Sequence, residues 1–198
     1  MSYAELGLMQ RIQSSFGDLI NSVVSSTAIP AKFLASLIAN ETGGDPTKKR
    51  FESGVLAKLW EVMLGRRARY GGITRSTLSG YLGISPTAAT VPGTVFVGLD
   101  ELATSWGLTQ IMGYHLLEWT EIPGWYRTIA DLRAPEGNLK CAVLLLTNFA
   151  DQFRLDLSKD FEAIMRCWNT GRPDGQTFDA QYVPNGLGRM DAYGSLEA

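Results

Sequence analysis

Hydrophobic positions recur at helical spacing along most of this chain, and strict alternation is nearly absent. Leu6, Met9, Ile12, Phe16, Leu19, Ile20 and Val23 fall on one stripe and predict a first long helix over roughly 4–26. Pro30 fits the first turn of a second helix, whose apolar face carries Phe33, Leu34, Leu37 and Ile38. Glu41 shares that stripe, and Gly43 and Gly44 end the helix just behind it. Ser53 can cap a third helix over 55–64, with Leu56, Leu59, Trp60 and Met63 inside.

Residues 65–98 are rich in Gly, Pro, Ser and Thr. They read as an irregular excursion with one short helix at 75–82, anchored by Tyr70, Tyr81, Val91, Val95 and Phe96. Further helices are expected over 99–104, 108–118, 136–157 and 159–169. A last one covers 180–196, with a pause near Pro184 to Gly186. The run from Cys141 to Leu146 is apolar all round, so its helix should be central. Strands have little support, since alternation is confined to fragments such as 94–97, and no internal repeat is visible. The expected architecture is mainly α, one globular domain packed around the 136–157 helix.

Composition narrows the function. The chain has 198 residues, 45% of them hydrophobic, which suffices for one substantial core but not for two large ones. A formal net charge of -2 leaves no global footprint for nucleic acid or an anionic membrane. The basic run from Gly65 to Tyr70 reads as a solvated helix end or, alternatively, a contact for an anionic polymer. Cys141 and Cys167 lie in apolar helical patterns and read as reduced core thiols. A single His115 and no Cys/His cluster leave a zinc without ligands, so no metal and no cofactor are expected. Nucleotide-binding, serine-hydrolase and zinc-protease signatures are absent. No apolar stretch approaches the roughly 20 residues that span a bilayer. The first residues mix charge into their apolar positions, so neither an integral membrane protein nor a signal peptide is expected.

Glu41 is awkwardly placed for a carboxylate. The partial negative charge of a helix C-terminus repels it, and an apolar face withholds water. Both effects raise its pKa, which suits a general acid that must still hold its proton near neutral pH. Two later segments accompany Asn40-Glu41-Thr42-Gly43-Gly44: Ser105-Trp106-Gly107-Leu108-Thr109-Gln110-Ile111-Met112-Gly113 and Cys167-Trp168-Asn169-Thr170-Gly171. Gln110 and Asn169 carry neutral amides that suit the N-acetyl and hydroxyl groups of amino sugars, and Ser105 adds a hydroxyl. Each can instead be satisfied inside a cap or loop. Trp106, Tyr114 and Trp168 can be ordinary core; of these, Trp168 is preferred as a groove wall.

Together the three segments resemble the lysozyme-like superfamily of lytic transglycosylases and goose-type lysozymes. The nearest match is to the N-acetylmuramidase domain of phage endolysins. The family pattern is a catalytic Glu at a helix end, a Gly-Leu-x-Gln-Ile-Met segment and a later aromatic-Asn-x-Gly. The muramidase form adds Arg50-Phe51-Glu52 and a closing helix with a Tyr, here Tyr182. The likeness covers roughly 30–195. It departs at Trp168, where Tyr is usual, and at Thr109, where Gly or Met is common.

The resemblance implies a lysozyme-like fold and cleavage of the MurNAc-GlcNAc β-1,4 bond of bacterial peptidoglycan, with Glu41 as general acid. Ser105, Gln110, Trp168, Asn169 and Tyr182 would line the substrate site, Tyr182 lying near the acid or packing as an ordinary helix tyrosine. The favoured reaction is hydrolysis, with Glu52 as a second carboxylate holding water. Asp45, Asp100 and Glu101 are further candidates, and a salt bridge from Glu52 to Arg50 or Lys49 explains Glu52 equally well. If Glu41 acts alone, the outcome is lytic transglycosylation to a 1,6-anhydro end. A catalytically silent glycan-binding or tail-structural module is a further alternative. A monomer is expected, acting on the bacterial wall and, if phage-encoded, reaching it from the host cytoplasm.

Overall fold

The computed structural model describes residues 3–85, 95–119 and 128–197. In chain order the elements are α1 (Tyr3–Val24), α2 (Ala31–Glu41), β1 (Lys49–Phe51), α3 (Ser53–Met63), β2 (Arg69–Tyr70), β3 (Ile73–Thr74), α4 (Arg75–Leu82) and α5 (Val95–Leu102). They continue with β4 (Thr104–Trp106), β5 (Ile111–Met112), α6 (His115–Glu118), α7 (Ile129–Arg133), α8 (Pro135–Phe153), α9 (Phe161–Thr170) and α10 (Tyr182–Gly194). The fold is mainly helical, and no described helix is long and apolar enough to cross a membrane.

The centre of the main core is α2 rather than the 136–157 helix. Every residue from Phe33 to Ala39 is buried, with α1 and α10 packed against it. On α8, Cys141, Ala142, Leu145 and Leu146 are buried but Val143 and Leu144 are only half-buried. Partly exposed apolar side chains are ordinary at a protein surface, so an all-apolar run need not be enclosed. A second cluster gathers Leu59, Met63, Leu78, Val95, Leu99 and Leu102 from α3, α4 and α5. Ala103 belongs to that second cluster and Trp106 to the first, so β4 runs where the two meet.

Several expected elements are corrected. Val95, Leu99 and Leu102 sit at helical spacing, so the supposed alternating fragment and the 99–104 helix are one helix, α5, and Thr104 opens β4. The helix expected over 108–118 is replaced by a tight turn, β5 and the short α6. Gly107 and Gln110 both take left-handed backbone angles, φ 71° and 55°, which a helix cannot accommodate. Ser53 is the first helical residue of α3, and Glu52 occupies the cap position. Arg154 leaves α8 in a left-handed conformation, ending it short of 157. Pro184 causes no pause, because in the first turn of α10 its missing N–H has no partner to lose. Val91 and the side chain of Phe96 lie outside the described residues.

The strands are short but position the site. β1 pairs antiparallel with β4, bringing Lys49 opposite Trp106, Arg50 opposite Ser105 and Phe51 opposite Thr104. β4 pairs in turn with β5, with Ser105 opposite Met112.

Candidate active site

Glu41 is the last residue of α2 and is half-buried at the edge of a cleft. The phenol of Tyr182, in the first turn of α10, donates a hydrogen bond to its Oε1. Desolvation pushes the Glu41 carboxyl above its ordinary value. The Tyr182 bond and the positive charges of Arg50 and Lys48 pull it part of the way back. Burial and the charge of Glu41 hold the Tyr182 phenol far above its usual range, so Tyr182 stays protonated as the donor. Lys48 donates from Nζ to the Glu41 carbonyl oxygen at 3.2 Å, placing a cation on the helix C-terminus.

A second layer of polar groups fixes this pair. Asn40 Nδ2 donates to the Tyr182 carbonyl oxygen at 2.9 Å, and Arg189 donates to Asn40 Oδ1 at 2.6 Å. Arg189 also grips Glu5 with two bonds of 2.9 and 3.1 Å, tying α10 to α1. The Arg189 pairing lowers the pKa of Glu5.

The opposite wall is the segment from β4 to β5. Leu102 to Thr109 is buried without a break, and one fully buried side chain, Asn138, meets the polar groups of Thr109 and the Trp106 carbonyl. Thr109 donates to Asn138 Oδ1 from its backbone N (3.0 Å) and from Oγ1 (2.7 Å). Asn138 Nδ2 donates to the carbonyls of Trp106 and Leu132, both at 2.8 Å. A Cβ at Gly107 would come within 2.4 Å of the Leu132 oxygen and 2.5 Å of Asn138 Nδ2, so only glycine fits there. Gln110 Nε2 donates to the carbonyls of Lys48 and Gly107 at 3.0 Å each, and its Oε1 accepts from Ser105 Oγ at 3.0 Å. Thr42, the residue that caps the end of α2, reaches across to donate from Oγ1 to the Leu108 carbonyl at 2.9 Å.

Between these walls lies a cavity of about 350 Å³, within the range of small-ligand clefts. Glu41, Ser105, Gln110, Trp168 and Asn169 all line it. Trp168 and Asn169 come from the last turn of α9, which ends at Gly171 in a left-handed conformation (φ 79°). Ser105 and Gln110 spend their hydrogen-bonding groups chiefly on the fold. The Asn169 side chain is exposed and forms no hydrogen bond among the described residues, so its amide is available.

Glu52 does not line the cavity. Its carboxylate pairs with Arg50 Nε at 2.6 Å, and it is the Arg50 side chain that lines the cleft. Asp45 holds Thr47 with bonds of 2.8 and 2.7 Å. Asp100 and Glu101 accept from Thr104 and the Trp106 indole through backbone carbonyls. Among the described residues, Glu41 is the one carboxylate on the cavity wall. Sequence reasoning missed His115, which also lines the cavity and pairs with Glu118 at 2.7 Å. Burial raises the Glu118 carboxyl, but the His115 contact and the Gly72 N–H outweigh it and leave the pKa lowered. No three His, Cys, Asp or Glu side chains come together as a metal site among the described residues.

Chemically, the cleft presents one carboxyl whose pKa is raised by desolvation, an aromatic wall and a free amide. That set can donate a proton to an oxygen of a neutral, hydroxyl-rich ligand. No family model matches the chain, and no curated protein or solved structure matches it.

Proposed function

We propose that the protein cleaves the glycan strands of peptidoglycan at the MurNAc-GlcNAc β-1,4 bond, with Glu41 as general acid. The observation that carries this reading is the Glu41 carboxyl itself: desolvated, bonded to Tyr182 and opening on a cleft walled by Trp168 and Asn169. Burying a carboxyl at a helix C-terminus disfavours its charged form, and a module that only binds glycan gains nothing from that. Proton donation to a glycosidic oxygen gains directly. Trp168 offers a face for a sugar ring, and the Asn169 amide can bond an N-acetyl group.

Two routes share this acid. Hydrolysis, which the family resemblance favours, needs a second carboxylate to hold water, roughly 6.5 to 9.5 Å from the first when configuration inverts. Glu52 can serve only by leaving Arg50. Transglycosylation needs no second carboxylate: Glu41 gives its proton to the leaving oxygen, then takes one from the muramyl 6-hydroxyl as that oxygen closes on C1. The Arg50–Glu52 pair favours this second route. Mass spectrometry of purified peptidoglycan after digestion decides between them, because reducing ends report hydrolysis and 1,6-anhydro ends report transglycosylation. An intact glycan would refute the enzymatic reading.

A further inference from the structure

The ribbon made by β1 and β4 has two faces, and the cleft uses only one. Side chains alternate across a strand, so the cross-strand pair Arg50 and Ser105 points one way while Lys49 and Trp106 point the other. Arg50 and Ser105 line the cleft. Lys49 and Trp106 line a second hollow of about 380 Å³, completed by Lys48, Arg133 and the two prolines Pro46 and Pro135.

The charge of this hollow is one-sided. Lys48, Lys49 and Arg133 are all exposed, and among the described residues no carboxylate lines it. Asp45, next to Pro46, turns its carboxylate to Thr47 instead. The Lys49 ammonium lies 5.8 Å from the centroid of the Trp106 ring and the Arg133 guanidinium 4.5 Å from it. Two cations gathered on one ring repel each other, and an anion between them relieves that repulsion. Lys48 already feels the Asp45 and Glu41 carboxylates, but a neutral sugar would leave the charges of Lys49 and Arg133 unanswered. The indole and the prolines add apolar walls, which fit methyl and methylene groups between charged ends better than they fit a bare ion. Lys48 joins this hollow to the acid, since its Nζ holds the carbonyl of Glu41.

Resting on the reading of the cleft as a glycan site, we infer that the hollow is a subsite for the free carboxylates of the short acidic peptides borne by peptidoglycan strands. The cleft grips the strand and the hollow grips the peptide, on opposite faces of one ribbon. Substrate choice follows: glycan carrying acidic peptides is preferred over bare amino-sugar polymer.

The test compares the native chain with the double variant Lys49→Gln/Arg133→Gln, whose substituted side chains are exposed and whose fold is checked by thermal melting. A synthetic tripeptide with two free carboxylates, and the same peptide with both amidated, are titrated by calorimetry and tryptophan fluorescence. The free acid should bind the native chain, while amidation and the double variant should each weaken binding by about tenfold or more, the worth of one or two charge-assisted hydrogen bonds. On glycan strands, removing the peptides enzymatically should slow the native enzyme several-fold and leave the double variant unaffected. Equal peptide binding by both proteins, or binding of poly(glycerol phosphate) without binding of the peptide, overturns the subsite. Lys49- and Arg133-dependent peptide binding by a protein that cleaves no glycan supports the subsite and sinks the enzymatic reading. Cleavage without such binding sinks the subsite alone.

Discussion

The phenol of Tyr182 donates its hydrogen bond to the carboxylate of Glu41, joining the first turn of α10 to the last residue of α2. The bond favours the ionised carboxylate, opposing the desolvation that favours the acid. Tyr182→Phe removes the opposing influence, so the Glu41 pKa should rise further. The alkaline limb of the pH–rate profile on purified cell walls should then move to higher pH. An unshifted limb in a folded Tyr182→Phe protein would show that the bond does not tune the acid.

Glu41→Gln keeps the shape and can still accept from Tyr182, but it cannot donate the proton. Wall cleavage should fall by at least about 10² to 10⁴-fold, the usual contribution of a general acid. Stability should move the other way. Because the folded-state pKa of Glu41 is raised, the native protein binds its proton more tightly than the unfolded chain does. Native stability therefore declines as pH rises from the unfolded pKa through the folded one, and the loss is complete above both. Glu41→Gln escapes that loss, so its melting temperature should exceed the native value at neutral pH and converge with it in acid. A gap that fails to narrow on acidification would contradict the raised pKa.

Asn138 should prove the most sensitive residue of the cleft wall, although it does not touch the cavity. Asn138→Leu leaves the Thr109 hydroxyl and N–H, and the carbonyls of Trp106 and Leu132, without their partner in a buried setting. The cost should be roughly 3 kcal/mol or more, measured by urea denaturation. Thr109→Val, which removes only one of these bonds, should cost less, about 1 kcal/mol.

How far the sequence speaks depends on whether a feature is local. The stripes of α1, α2 and α4 are repeated within a few turns, and their helices could be read to within a few residues. The position of Glu41 at the end of an apolar stripe was legible for the same reason. β1 was not: its three residues carry no pattern of their own and become a strand only by meeting β4 far along the chain. α7 is a five-residue helix set by a capping box between Thr128 and Asp131, too short for periodicity to show. The Ser105 to Gly113 segment stood out as a motif, yet much of what makes it distinctive is structural. Gly107 lies against Asn138 and Leu132, and Gln110 holds a left-handed turn with its own amide. Asn138 itself is one of several polar residues of α8, and nothing local marks it as the hub.

Glu52 is where the two chemical routes part. In the structure its carboxylate pairs with Arg50, whose side chain lines the cleft, while Glu52 does not. Both members are substantially exposed, at 74% and 35%, so the pair itself contributes little to stability. Glu52→Gln should then leave the melting temperature within a degree or two, since exposed pairs are worth about 0 to 1 kcal/mol. If the protein is a transglycosylase, turnover should also stay within about threefold, because Glu41 alone would serve as acid and then base. Native digests should carry anhydro-muramyl ends. If Glu52 swings from Arg50 to hold water, the same substitution should cut turnover by about 10²-fold or more without weakening glycan affinity, and native digests should carry reducing ends. Arg50→Gln separates the two again: releasing Glu52 should speed or spare a hydrolase that depends on it. It should do nothing for a transglycosylase beyond a change in the pKa of Glu41, which loses a nearby positive charge and rises. Reducing ends together with a severe Glu52→Gln defect in a stable protein would overturn the lone-acid route.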